Sequence, residues 1–109
     1  EHPLVKLFRE LTSKFVPGRA TAPITYYFTL GNGDDAKWTL FVDATSCKAQ
    51  KGKPEGGQAD CVLKTTPEIF TKIVREAYQP TPMEFMTGLI KSNDISLLQT
   101  FQKVFALAE

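Results

Sequence analysis

The sequence predicts an α+β domain in which helices cover one face of a five-stranded, mostly antiparallel sheet. Three observations support this class: alternating apolar and polar residues in the strand-like segments, apolar residues at helical spacing near both ends, and glycine- or proline-rich breaks between these segments. The 109 residues, 42% of them hydrophobic and 23% charged, suit one globular domain spanning residues 1–109.

The first element is predicted to be an amphipathic helix over residues 3–16. Pro3 suits a first helical turn, and Pro17 with Gly18 ends the element. Charged residues occupy one side of this helix. The apolar side carries Leu4, Leu7, Phe8, Leu11 and Phe15.

A β-hairpin is predicted to follow. Residues 24–30 alternate in polarity, residues 31–34 have the Gly-Asn-Gly-Asp chemistry of a tight turn, and alternation resumes over residues 38–42. We expect one face of the hairpin to be buried beneath the helices. That face carries Ile24, Tyr26, Phe28, Leu30, Trp38, Leu40 and Val42.

The other face of the hairpin carries two aromatic residues. If Leu30 lies opposite Trp38, the antiparallel register places Tyr27 opposite Phe41 on the face away from the helices. An exposed aromatic pair indicates a contact surface. We expect a second subunit, another domain or part of the N-terminal segment to cover Tyr27 and Phe41.

Two further strands are predicted over residues 45–50 and 58–65, around a turn at residues 51–57. Pairing them as a hairpin sets Cys47 opposite Cys61, with both thiols on the apolar face. Two cysteines are too few for a disulfide scaffold and lack the paired spacing of a zinc site. They are interpreted as small reduced core residues, with a cross-strand disulfide as the alternative.

The last third is predicted to contain a helix, a short helical turn, a fifth strand and a final helix. Thr66 caps the first of these helices, which begins at Pro67, and the fifth strand lies around residues 89–91. Asn93 or Asp94 caps the final helix. The apolar residues of these elements are Ile69, Phe70, Ile73, Val74, Ala77, Tyr78, Met83, Phe85, Met86, Ile95, Leu97, Leu98, Phe101, Val104, Phe105 and Ala108.

Composition argues against several classes of protein. A net charge of +1 gives no strong field for binding nucleic acid, and no apolar run approaches the roughly 20 residues of a membrane helix. The sequence has neither a secretory signal nor a C-terminal peroxisomal tripeptide, so a cytoplasmic location is expected. The chain begins with Glu1 instead of Met, and two interpretations stay open: a whole protein and a piece excised from a longer one.

Groups suited to catalysis are scarce. The only histidine, His2, lies beside the chain start, so a serine or cysteine nucleophile has no base. The Gly31-x-Gly33 sequence lacks the rest of a dinucleotide fingerprint and precedes a strand instead of a helix. We therefore expect no enzymatic activity, no metal and no cofactor.

Four stretches resemble the sterol carrier protein 2 family in their order and spacing, over nearly the whole chain. They are YYFTLGNGDDAKWTLFVD at the hairpin, QADCVLKTTPEIFTKIV where a strand enters a helix, PTPMEFMTG, and NDISLLQTFQKVF at the closing helix. Two features depart from the family pattern: the segment from Gly88 to Asp94 is shorter, and the peroxisomal tripeptide is missing.

The resemblance implies a non-catalytic domain that binds or transfers lipid. An apolar tunnel between sheet and helices would hold a fatty acid, acyl-CoA, phospholipid or sterol, with transient membrane contact as a further expectation. The predicted tunnel residues are Phe28, Leu30, Trp38, Leu40, Val42, Ile73, Phe85, Met86, Leu98, Phe101 and Phe105.

Two other functions fit the same pattern. The first is a non-catalytic domain of this fold within a larger enzyme, where it presents substrate or supports dimerisation. The second is a small interaction protein whose core is simply full, since a packed core and a cavity wall both require buried apolar residues.

Overall fold

The computed structural model describes residues 3–20, 22–31, 36–53, 57–76, 78 and 81–105. Five strands and four helices lie within these residues. In chain order they are α1 (Pro3–Ser13), β1 (Ile24–Thr29), β2 (Lys37–Val42), β3 (Cys47–Lys51), β4 (Cys61–Lys64), α2 (Pro67–Glu76), α3 (Pro82–Thr87), β5 (Lys91–Ser92) and α4 (Ile95–Val104).

The strands form one mixed sheet in the order β3-β2-β1-β4-β5. Three of its pairings are antiparallel, and the pairing of β1 with β4 is parallel. The predicted five-stranded, mostly antiparallel α+β fold is therefore confirmed, whereas the hairpin predicted between β3 and β4 is wrong.

Burial explains why β4 lies inside the sheet and β3 at its edge. The inward residues Cys61 and Leu63 of β4 are fully buried, while Cys47 and Ala49 of β3 are only partly buried. The more apolar strand, β4, has a neighbouring strand on each side. The strand β3 carries lysines and forms an edge of the sheet, where charge discourages pairing with a further strand.

This strand order corrects the predicted pairing of the cysteines. Cys47 lies opposite Val42 on β2, and Cys61 lies opposite Tyr26 on β1. Two strands separate the cysteines, so their backbones are about 14 Å apart, twice the reach of a disulfide. Both thiols are free, as the first interpretation predicted. Burial raises the pKa of each thiol above its ordinary value.

The register of the first hairpin also differs from the prediction. Phe28 lies opposite Trp38, because the Leu30 amide closes the hairpin by donating to the Ala36 carbonyl, at 2.8 Å. A shift by two residues preserves which side chains share a face. Tyr27 and Phe41 therefore still lie on the outer face, partly buried, as diagonal neighbours instead of a direct pair.

The core lies between the inner sheet face and the helices, and its centre is the ring of Phe28. This ring contacts Phe8 of α1, Phe70 of α2 and Phe101 of α4, at centroid distances of 5.6, 5.1 and 5.4 Å. All four rings are buried. Three helices are thus fixed against one residue of the central strand.

The ends of the helices follow from local chemistry. Thr66 Oγ1 accepts a hydrogen bond from the Ile69 amide at the start of α2, and Asp94 Oδ1 accepts one from Leu97 at the start of α4. Asp94 is therefore the cap of α4, while Asn93 Oδ1 accepts from the Val62 amide of β4. The predictions for Ala77, Ala108, the break at Pro80, residues 32–34 of the first turn and residues 54–56 of the second turn lie outside the described residues.

We predict that Phe28→Ala lowers the free energy of unfolding by about 3–5 kcal/mol, because it removes the shared contact of three helices and leaves a cavity. Urea denaturation followed by circular dichroism measures this change. Phe41→Ala, on the outer face, serves as the control and should cost only about 1 kcal/mol. Equal losses in the two variants would contradict the central role of Phe28.

Candidate ligand-binding site

Most of the predicted tunnel residues lie together in the core. The structure brings nine of the eleven into one buried cluster, at the junction of the inner sheet face with α2 and α4. These nine are Phe28, Leu30, Trp38, Leu40, Val42, Ile73, Leu98, Phe101 and Phe105.

The two remaining residues lie on α3. Phe85 is partly buried and packs against the core, but Met86 is 86% exposed and does not meet the sheet. The expectation that Met86 faces the strands is therefore wrong. A helix of six residues turns only one side inward, and Phe85 occupies that side.

The exposed large apolar residues of the described chain all fall between positions 83 and 95. Met83 is 71% exposed and Met86 86%, three residues apart on one side of α3, while Leu89 and Ile95 are each 50% exposed. We call Met83, Met86 and Leu89 the α3 platform. The sequence pattern did not predict this platform, because apolar spacing does not distinguish a solvent-facing methionine from a buried one.

Polar contacts at its two ends hold α3 in place. Glu84 Oε1 accepts hydrogen bonds from the Tyr78 hydroxyl and, at 2.9 Å, from the Thr81 amide. After Gly88, whose φ of 82° suits glycine, the Ile90 amide donates to the Glu84 carbonyl at 3.1 Å. No residue of α3 is fully buried. This helix is therefore the least embedded part of the helical layer.

The same contacts set the ionisation of Glu84. The hydrogen bond from Tyr78, followed by the one from the Thr81 amide, lowers the pKa of Glu84 below its ordinary value of 4.5. The bond to Glu84 in turn raises the pKa of Tyr78. Around neutral pH a charged carboxylate therefore holds α3 to the residue that precedes it and to Tyr78, which lies two residues after the end of α2.

Among the residues that the structure describes, surface clefts lie outside the predicted tunnel. One of 330 Å³ separates α1 from β3; Trp38 and Phe8, stacked at 4.6 Å, line it together with Cys47 and Arg9. One of 540 Å³ lies beside α4, near Ile24, and one of 190 Å³ lies near Phe41. Only Trp38 and Val42 among the predicted tunnel residues border any of them.

The described residues contain no group of three or more histidine, cysteine, aspartate or glutamate side chains that could bind a metal. Within the same part of the chain, no helix has the length and apolar character to cross a bilayer. His2, the only histidine of the sequence, lies outside the described residues.

The family of the chain follows from its match to a family model. The model described as the SCP-2 sterol transfer family matches residues 20–106. The chain belongs to the SCP-2 sterol transfer family. The match covers the whole sheet together with α2, α3 and α4, and confirms the resemblance that the sequence motifs predicted. No curated protein matches the chain in a comparison of sequences.

Solved structures of a sterol carrier protein and of a ubiquinone synthesis protein share this fold at low sequence identity. The sterol carrier protein 2 of Yarrowia lipolytica, in its apo form, is 18% identical over 92% of this chain and 77% of its own, with a TM-score of 0.51. The ubiquinone synthesis protein UbiJ-SCP2 is 17% identical over 100% of this chain and 84% of its own, with a TM-score of 0.58.

A much larger enzyme contains a domain of the same fold. The stereoselective inverting sec-alkylsulfatase Pisa1 from Pseudomonas sp. is 17% identical over 87% of this chain, with a TM-score of 0.69. This chain spans only 15% of the length of that enzyme. At such identities the similarity establishes the fold alone.

We predict that α3 loosens in acid. A carboxylate with a lowered pKa stabilises the folded contact above its ordinary pKa, and this stabilisation is lost as the pH falls below 4.5 through the folded value. The protection factor of the Ile90 amide in hydrogen exchange should therefore decrease in this range. Glu84→Gln should remove the pH dependence; an unchanged dependence in that variant would contradict the assignment to Glu84.

Proposed function

We propose that the chain is a non-catalytic lipid-binding unit that takes up the apolar part of a fatty acid, acyl-CoA, phospholipid or sterol between sheet and helices. The family match over residues 20–106 carries this proposal, because it includes both the strands and the helices that would enclose the ligand. The nine buried residues of the predicted tunnel supply the apolar surface.

Uptake requires the core to open, because the predicted tunnel residues pack against one another. The ring contacts of Phe28 and Phe101 fill the space between β1 and α4. Burial of the lipid contributes about 25 cal/mol for each Å² of apolar surface removed from water, against the cost of separating these contacts. In this proposal α3 moves to admit the lipid, since none of its residues is fully buried.

The α3 platform suits the entrance of such a site. Methionine side chains adapt to ligands of irregular shape. Lys91 lies close by, because a Cβ atom built on Gly88 would be 3.5 Å from its Cε atom. A carboxylate or phosphate head group would stay at this entrance, beside the exposed Lys91, while the apolar chain passes beneath α3.

Trp38 provides the test of lipid uptake, because it is the only tryptophan and lies on the buried sheet face. We predict that a brominated fatty acid quenches Trp38 fluorescence in a saturable manner, and that native mass spectrometry detects the complex. Absence of both signals would refute lipid binding and favour a filled-core interaction protein.

A control is needed because Trp38 also borders the cleft between α1 and β3. Ala49→Arg places a long side chain in that cleft without entering the predicted tunnel. Quenching should persist in this variant if the lipid binds in the core. Loss of quenching with retained folding would place the lipid in the cleft instead.

The similarity to the sulfatase domain favours a second function. Its TM-score of 0.69 exceeds the value of 0.58 for the ubiquinone synthesis protein UbiJ-SCP2 and that of 0.51 for the sterol carrier protein 2 of Yarrowia lipolytica. We propose as the alternative that the chain is a domain of a larger enzyme, where it presents an apolar substrate or contributes a contact between subunits. The partly buried Tyr27 and Phe41 on the outer sheet face would form that contact.

We predict that Tyr27→Ser combined with Phe41→Ser disrupts association with a second copy or an adjoining domain, while lipid uptake is retained. Exposed serine replaces apolar contact area on the outer face and leaves the inner face intact. Mass in solution and Trp38 quenching measure the two effects separately. An unchanged mass with loss of lipid binding would show that the two faces are wrongly assigned.

A further inference from the structure

The side chain of Gln102 is buried in α4 without a hydrogen bond for its amide nitrogen. It is 5% exposed, and its Nε2 atom has no partner. Along the chain it lies among Phe101, Val104 and Phe105, which are fully buried apolar residues. Because nearly all buried polar side-chain atoms in proteins are hydrogen-bonded, the buried and unpaired amide of Gln102 indicates a missing partner.

The position of Gln102 on α4 relates it to the surface. Ile95, Leu98 and Gln102 follow one another at intervals of three and four residues, so they share one side of the helix. Ile95 is 50% exposed and Leu98 is buried. This side of α4 therefore runs from solvent into the core. With a rise of 1.5 Å per residue, Gln102 lies about 10 Å along the helix from its exposed end.

We propose that Gln102 is a polar anchor inside the lipid site, where Nε2 donates a hydrogen bond to an oxygen atom of the ligand. The inference rests on the proposed lipid-binding function and specifies the class of lipid: an apolar body that carries a hydroxyl group away from its charged end. A hydroxyl group both donates and accepts, so it satisfies the amide in either orientation of the side chain.

Discrimination follows from the cost of leaving a buried donor unpaired. An unsubstituted hydrocarbon chain beside Gln102 would leave Nε2 unpaired, as it is in the free protein. A hydroxylated chain supplies an acceptor. Sites that contain a buried hydrogen-bonding group discriminate against ligands lacking the matching group more strongly than apolar pockets discriminate by size.

The test compares stearic acid with a series of hydroxystearic acids that differ in hydroxyl position, each displacing a fluorescent fatty acid from the whole chain. For the best-placed hydroxyl, the affinity should exceed that of stearic acid by about threefold to tenfold, the range of one net hydrogen bond. Gln102→Leu should abolish this preference, retain binding of stearic acid and raise the melting temperature of the free protein.

Two further variants make the result specific. Gln102→Met has a shape close to glutamine and should also abolish the preference, which covers the case in which Gln102→Leu fails to fold. Gln99 is an exposed glutamine on the same helix, and Gln99→Leu should retain the preference.

The outcomes separate the two proposals. If the wild-type protein binds none of these fatty acids, the lipid-binding function is refuted and the role of Gln102 with it. If it binds all of them equally, or if Gln102→Leu keeps the preference, lipid binding stands and the polar anchor is refuted. A higher melting temperature without a change in preference would show that Gln102 is a destabilising core residue with no part in recognition.

Discussion

The contact of Phe28 with three phenylalanine rings is the interaction on which the rest of the structure depends. Phe8, Phe70 and Phe101 belong to three different helices, and each packs against this one ring of the central strand β1. Tilted aromatic pairs at these distances combine a large buried area with favourable ring geometry. They set the positions of the helices over the sheet, and thereby the space available to any ligand.

The same contact explains why ligand entry is assigned to α3. That helix contributes no ring to the Phe28 cluster, and its innermost residue, Phe85, is only partly buried. Helices α1, α2 and α4 would each lose a fully buried aromatic contact on moving, whereas α3 would mainly exchange hydrogen bonds around Glu84 for bonds to water. Local opening should therefore begin at α3, at a small fraction of the cost of global unfolding.

The sequence predicted which residues face inward far better than it predicted which strands are neighbours. Alternation fixes the face of a residue, so Phe28, Trp38 and Leu40 were assigned to the core correctly even though the hairpin register is shifted by two positions. It carries no information on pairing partners, which is why the parallel pairing of Tyr26 with Cys61 was not foreseen. Strand order follows from burial competition across the whole sheet.

For the candidate site, too, the sequence predicted which residues are buried better than it predicted how the elements are oriented. Apolar spacing identified its buried residues but placed Met86 inside, because a short helix presents two apolar sides and only tertiary packing selects one. Gln102 was not predicted as a site residue, because its side chain is polar. Its spacing from Leu98 and Ile95, which follows the apolar pattern of the helix, was the signal that could have identified it.

The Tyr26 hydroxyl, a polar group on the inner sheet face, shows by contrast a buried position whose hydrogen bond is made. The hydroxyl of Tyr26 donates to the Leu97 carbonyl of α4 at 2.7 Å, and burial raises the pKa of this tyrosine far above its usual range. Tyr26 therefore stays protonated and ties the first turn of α4 to β1. At the other end of the helix, the Val16 amide donates to the Val104 carbonyl at 2.8 Å.

These two ties hold α4 in place on either side of Gln102. If α4 shifted or rotated to bring Nε2 to a hydrogen-bond acceptor, one of these two hydrogen bonds would break. The contact of Phe101 with Phe28 would also be disturbed. A movement of α4 therefore offers the amide no partner at low cost, and in the proposed role the ligand supplies that partner. In this proposal the firmly held helix α4 provides recognition, and the loosely held helix α3 provides access.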